Sequence, residues 1–187
     1  MRDQAQAIAA SAAAIRRPVL ALAHSTGGMG MSAAAELDPT LFTRLIYLAA
    51  YLPVSGDRVI TLGARDKTSR VGEATRTSAL RGFISVNPEK SGPIFYGDCS
   101  ADKIAWANAN LVKEPLRPAF GKIILTDRFA AVPRSYIRCT QDQVVTSILQ
   151  DEMIGARSCS KVATLASSHS PFLSMPGRLA DAILAVS

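Results

Sequence analysis

The sequence predicts an α/β fold, a parallel sheet flanked by helices, and three observations carry that prediction. Short continuous apolar runs alternate with helix-like stretches along the 187 residues. Alanine is abundant while Phe, Trp and Tyr together make up only 6%, which favours close-packed helices over a β-sandwich. Hydrophobic residues at 48% against 19% charged mark a chain that folds around a core. The length fits one domain over 1–187.

The elements follow in order. Residues 5–15 read as an Ala-rich helix packing on the sheet, stopped at Arg17-Pro18. The run is too short for a membrane span, and Asp3, Gln4 and Gln6 break the charged-then-apolar order of a signal peptide. Residues 19–23 (VLALA) form a strand buried on both faces. A Gly27-Gly28 turn leads into a small-residue helix over 29–36, and 45–48 (LIYL) is the next buried strand. From about 57 to 131 the pattern loosens into short helical stretches such as 101–111, broken by Gly and Pro, as expected of a helical cap or lid inserted over the strand ends. Strands at 135–140 and 162–166 flank a helix at 147–154, and Pro176–Val186 closes the chain as a helix.

Composition also excludes functions. The net charge is +6, but the basic residues (Arg65, Lys67, Arg70, Arg76 and others) are scattered and form no run interleaved with stacking aromatics. A solvated basic surface is expected, with no nucleic-acid or membrane partner. Three cysteines, Cys99, Cys139 and Cys159, lack any CxxC pair, so neither a disulfide framework nor a zinc site is expected, and a reducing cytoplasm fits them. Cys139, inside an apolar strand, reads as a small core residue.

The chemistry-bearing segment is Ala23-His24-Ser25-Thr26-Gly27-Gly28. A buried strand entering G-x-S-x-G and leaving as a helix describes a nucleophile elbow, with Ala23 in place of the first glycine. The turn is sharp enough to need small flanking residues, and it sets Ser25 at a helix N-terminus, where the dipole favours developing negative charge. A serine nucleophile needs a base, and the chain has two histidines. His24 adjoins Ser25 and points to the other side of an extended segment, so it packs or hydrogen-bonds beneath the elbow. His169, in the polar loop after the last strand, is the candidate base. The orienting acid belongs between the two in chain order. Asp142, in the loop after the strand at 135–140, fits that place better than Asp98, Asp102 or Asp127.

Five blocks, LALAHSTGGMGMSAAAE, RLIYLAAYLPVSGDRV, FYGDCSADKIAWA, VPRSYIRCTQDQVV and SSHSPFLSMP, resemble the small α/β-hydrolases of the plant methylesterase and hydroxynitrile lyase group and their bacterial esterase relatives. The resemblance covers nearly the whole chain, in the family's order. It implies an α/β-hydrolase fold with Ser25, Asp142 and His169 as a catalytic triad, the backbone N–H of Thr26 as an oxyanion donor, and hydrolysis of small carboxylic esters without cofactor or metal. In the lyase branch a lysine follows the catalytic histidine; Ser170 stands there in this chain, which leans towards the esterases.

The resemblance also implies a strand, a His-Gly oxyanion loop, a helix and a further strand ahead of the Ala-rich helix, in which this sequence opens directly. Without that unit the strand at 19–23 becomes an apolar edge with unpaired N–H groups, which would favour self-association into a homo-oligomer. A second oxyanion donor would be missing, at a typical cost of about 10²–10³ in turnover. Three readings stay open: a fragment of a longer protein, an edge covered by a partner chain, or a weakly active remnant. In functional terms the esterase reading stands beside two others, a non-catalytic ligand-binding protein of the same fold and a carbon–carbon lyase.

Overall fold

The structure, a computed structural model, describes residues 1–187. It opens with α1 (Arg2–Ala14), β1 (Val19–His24), α2 (Gly27–Leu37) and β2 (Phe42–Leu48). The next segment holds α3 (Val59–Arg65), α4 (Val71–Ala74), β3 (Thr75–Ser78), β4 (Phe83–Val86), α5 (Pro88–Phe95), α6 (Ala101–Ala109), β5 (Glu114–Pro115) and α7 (Asp127–Ala130). The chain then returns through β6 (Arg134–Cys139), α8 (Ser147–Ala156), β7 (Lys161–Leu165), α9 (Pro171–Ser174) and α10 (Pro176–Val186).

β1, β2, β6 and β7 form one sheet in that order, and every neighbouring pair is parallel. Parallel strands need crossovers, and α2 and α8 supply two of them on one face while the terminal α10 covers the other. Side chains alternate across the sheet, so Leu45, Tyr47 and Tyr136 join the core beneath α2 and α8. Ile46, Leu48, Ile137 and Cys139 point the other way, onto Leu179, Ala182 and Val186 of α10. The uninterrupted apolar run in β2 is thereby explained, since Leu45–Leu48 are buried on both sides. Cys139 is a core residue as expected, and burial pushes its thiol up to about 12.

Two expectations need correction. α1 packs on α2 rather than on the sheet, with Ile8 lying against Gly30, where an added Cβ would approach the Ile8 Cδ1 to 3.1 Å. β1 is not buried on both faces: Leu20 and Leu22 are each 40% exposed. β1 is the sheet's edge, and α10, which packs on β6 and β7, does not reach across to these leucines.

The segment between β2 and β6 was expected to be helical, but it also carries a three-stranded antiparallel sheet, β3-β4-β5. Its strands are two to four residues long and only partly buried, too short to show a period of two in the sequence. Gly82 closes the β3–β4 turn with a φ of 69°, a conformation that glycine adopts without a steric penalty.

The exits of β1 and β2 are locked together. Ser25 and Ala49 follow the two strands with φ of 54° and 42°, values that side-chain-bearing residues rarely adopt. The Tyr51 N–H donates to the Ser25 carbonyl at 3.0 Å, and the Tyr136 hydroxyl donates to the Ala50 carbonyl at 2.8 Å. α2 begins so close to this stretch that a Cβ on Gly28 would lie 2.1 Å from the Tyr51 carbonyl oxygen. Gly27, the glycine that completes the G-x-S-x-G pattern, has room: its nearest neighbour would be the Ala23 Cβ at 3.8 Å. Gly28→Ala is therefore expected to lower stability by about 1–3 kcal/mol or more through overpacking, while Gly27→Ala stays near wild type. Thermal or urea unfolding of the two variants checks this ordering.

Candidate active site

Three C-terminal strand ends of the parallel sheet converge on one cleft. Ser25 follows β1, Asp142 follows β6 and His169 follows β7. Ser25 caps the approach to α2, an eleven-residue helix whose N-terminal amides face the elbow. The Thr26 N–H takes part in no turn, loop or capping hydrogen bond, and so is left available as a donor beside the Ser25 hydroxyl. The Thr26 hydroxyl donates to Glu114 Oε1 at 3.3 Å, which brings β5 against the elbow.

Asp142 and His169 are 5% and 1% exposed. The His169 Nδ1–H donates to Asp142 Oδ2 at 2.7 Å. The other oxygen, Oδ1, accepts from the N–H groups of Val144 at 2.7 Å and Val145 at 3.1 Å. Three donors thus surround a buried carboxylate, which otherwise would be costly to hold ionised. The bond at Nδ1 leaves Nε2 of His169 as the free ring nitrogen, the tautomer that a general base uses. Of the rival acids, Asp98 does come near, but it binds the backbone and hydroxyl of Ser168 instead of the His169 ring.

His24 forms a hydrogen bond, as the sequence argument allowed, but its ring lies against His169 and lines the same cavity as Ser25 instead of packing beneath the elbow. Its Nε2–H donates to the His169 carbonyl at 2.8 Å, and its ring centroid is 4.3 Å from that of His169 and 5.1 Å from that of Phe172. It thereby holds the backbone of the candidate base. Burial, reinforced by the neighbouring His169 ring, lowers the His24 pKa from 6.5 to about 3, so His24 is neutral at ordinary pH.

Two cavities open on Ser25. One, of about 360 Å³, is lined by Ser25, His169, Phe95, Tyr96, Trp106 and Phe172 among others. The second, of about 640 Å³, is lined by Ser25, Thr26, Tyr51, Val71, Ile84 and Val144 among others. Phe95 and Asn110 border both. Phe95, Trp106 and Asp98 stand in the FYGDCSADKIAWA block, but their place at the site is set by tertiary packing, which the local sequence does not show. No group of three or more His, Cys, Asp or Glu side chains gathers anywhere to hold a metal ion, and no helix is long and apolar enough to cross a membrane.

A parallel sheet between helical layers, with a serine elbow after one strand and helical insertions after another, defines the α/β-hydrolase class of fold. The chain belongs to the alpha/beta hydrolase family, whose sequence pattern matches residues 1–182. Among curated relatives, a chloroplastic protein of Arabidopsis thaliana named as methylesterase 11 is 24% identical over 92% of this chain and 47% of its own. A pyrethroid hydrolase of Sphingobium wenxiniae is 28% identical over 87% of this chain and 61% of its own. The chain therefore spans roughly half to three-fifths of the length of these relatives. Among solved structures, polyneuridine aldehyde esterase superposes with a TM-score of 0.84 at 20% identity, over 99% of this chain and 78% of that one. A pyrethroid hydrolase superposes with a TM-score of 0.79 at 23% identity, over 96% and 74%.

One expectation is overturned by these relatives. The cytoplasmic location inferred from the cysteines does not hold, because five of the matching plant methylesterases are named as chloroplastic. Unpaired thiols report a lack of disulfides, and that property does not distinguish one reducing compartment from another.

The half-buried His24 gives a pH signature. In the folded chain it stays neutral down to about pH 3, whereas in the unfolded chain it takes a proton below about 6.5. The unfolded state binds more protons in that window, so stability is full above 6.5 and falls as the pH drops towards 3. His24→Gln is expected to flatten the dependence of unfolding free energy on pH between 6.5 and 4 by up to about 1.4 kcal/mol per pH unit. Urea unfolding of both proteins across that range checks it.

Proposed function

We propose that this chain carries the catalytic centre of a serine esterase acting on neutral, largely apolar carboxylic esters. Ser25 is the nucleophile, His169 the general base and Asp142 the carboxylate that fixes the His169 tautomer and stabilises the imidazolium as it forms. The Ser25 Oγ attacks the ester carbonyl carbon while its proton passes to His169 Nε2. The carbonyl oxygen becomes the oxyanion facing the Thr26 N–H and the N-terminal end of α2. Collapse of the tetrahedral intermediate expels the alcohol, which takes the proton from His169. Water then repeats the sequence on the acyl-enzyme and releases the acid.

The observation that carries this reading is the buried His169–Asp142 hydrogen bond at 2.7 Å, opening onto a cavity that Ser25 also lines. The names of the relatives, methylesterases and pyrethroid hydrolase, support ester cleavage as the reaction class. Residues 57–131 are read as the cap: they supply Phe95, Trp106, Val71 and Ile84 to the cavity walls. Walls of that kind gain by taking up apolar groups and penalise an uncompensated charge.

The test is labelling with a fluorophosphonate probe together with turnover of a short-chain p-nitrophenyl ester. Wild type is expected to label once, at Ser25, and Ser25→Ala not at all. Asp142→Asn should keep the fold and lose on the order of 10⁴ in kcat, as a swap that turns the base to the wrong tautomer does. Wild-type labelling or turnover no greater than that of Ser25→Ala overturns the reading.

A further inference from the structure

Both catalytic loops are held from outside the main sheet, each by a carboxylate of the cap. On the acid side, Asp66, 8% exposed just after α3, accepts from the Thr146 N–H at 2.8 Å and the Thr146 hydroxyl at 2.7 Å. Thr146 follows Val144 and Val145, the two residues whose amides hold Asp142. The neighbouring Ser69 hydroxyl donates to the Val144 carbonyl at 2.7 Å, and the Arg70 N–H donates to the Gln143 carbonyl at 2.8 Å. On the base side, Asp98, between α5 and α6, accepts from the Ser168 N–H at 3.1 Å and from the Ser168 hydroxyl. Ser168 is buried and immediately precedes His169.

We propose that Asp66 and Asp98 are positioning residues for the triad, clamping the acid loop and the base loop respectively to the cap. This inference rests on the esterase reading above and adds a coupling to it. The segment that walls the cavities also fixes the two loops that carry the charge-bearing partners of Ser25. The geometry has the form such coupling requires. Each clamp is a carboxylate with two donors from one residue, one of them a backbone N–H, so each fixes main chain as well as a side chain. Neither clamp touches the ring of His169 or the carboxylate of Asp142. Their loss should displace the triad without changing its chemistry, and a displacement of about 1 Å in such a site can cost up to about 10²-fold in rate.

The experiment compares Asp98→Asn, Asp66→Asn, Ser168→Ala and the double variant Asp98→Asn/Ser168→Ala with wild type. Amide hydrogen exchange reads the clamps directly and needs no activity. Asp98→Asn should speed exchange in a peptide covering 166–170 at least tenfold, and Asp66→Asn in one covering 143–147, each leaving the other loop unchanged. Ester turnover reads the coupling, with kcat counted per site that the fluorophosphonate probe titrates to completion. Each Asn variant should lose about ten- to a hundredfold in kcat with KM within about twofold. The double variant should lose no more than Asp98→Asn alone, because both changes break one interaction. Unchanged exchange in both loops, or unchanged kcat per titrated site with only a lowered melting temperature, would overturn the proposal. If wild type fails to label at Ser25 while the clamps still govern exchange, the esterase reading fails and with it the catalytic role of Asp66 and Asp98. If wild type labels and turns over while exchange is unchanged, only the clamps fail.

Discussion

A carboxylate taken out of water loses several kcal/mol of solvation, and the surrounding protein has to replace it with donors aimed at both oxygens. Asp142 meets that constraint with two main-chain amides on one oxygen and the His169 ring on the other. The rest of the site is arranged around this bond. Its two ends lie in the loops after β6 and β7, so it forms only when those strands pair in register, as Arg138 with Thr164 and Cys139 with Leu165 do. The amides of Val144 and Val145 must point inward, and two hydrogen bonds tie their loop to the cap, from the Ser69 hydroxyl to the Val144 carbonyl and from the Thr146 N–H to Asp66. With Nδ1 committed to Asp142, the only ring nitrogen of His169 left for chemistry is Nε2.

The serine side is set by strain where the base side is set by hydrogen bonds. Ser25 holds a φ of 54° because the strand it follows is parallel to β2 and the chain must turn at once into α2. Main-chain conformations of this sort cost of order 1–3 kcal/mol and persist only where the surroundings over-determine them. Here the Tyr51 N–H holds the Ser25 carbonyl while the bare Cα of Gly28 lets the helix approach the Tyr51 carbonyl. His24 joins the two halves, since it ends β1, precedes Ser25 and carries the backbone of His169 on its Nε2–H. The elbow and the base loop are thereby a single unit.

The main sheet was largely legible in the sequence because its strands are short continuous apolar runs, although only β2 and β6 are buried along most of their length. The elbow was legible for the same reason, with a strand, a turn of small residues and a helix in a fixed order. Chain order and the shortage of histidines then pointed to Asp142 and His169, which the fold brings into contact. Three features were not legible. The β3–β4–β5 sheet has strands too short and too exposed to show a period. The exposure of Leu20 and Leu22 depends on which elements flank β1, and that is a property of topology, which local sequence does not encode. The greater need for a glycine at 28 than at 27 depends on a carbonyl 23 residues further along the chain, that of Tyr51.

The central claim is that the Asp142 bond fixes His169 in the Nδ1–H tautomer with Nε2 free to take a proton. Nitrogen-15 spectra of the histidine ring in the intact chain test it most directly. The account predicts a protonated, slowly exchanging Nδ1 and an unprotonated Nε2 for the neutral His169 ring, and loss of the protected Nδ1–H signal in Asp142→Asn. A His169 that carries its proton on Nε2, or an Nδ1–H exchanging freely with water in wild type, would contradict it.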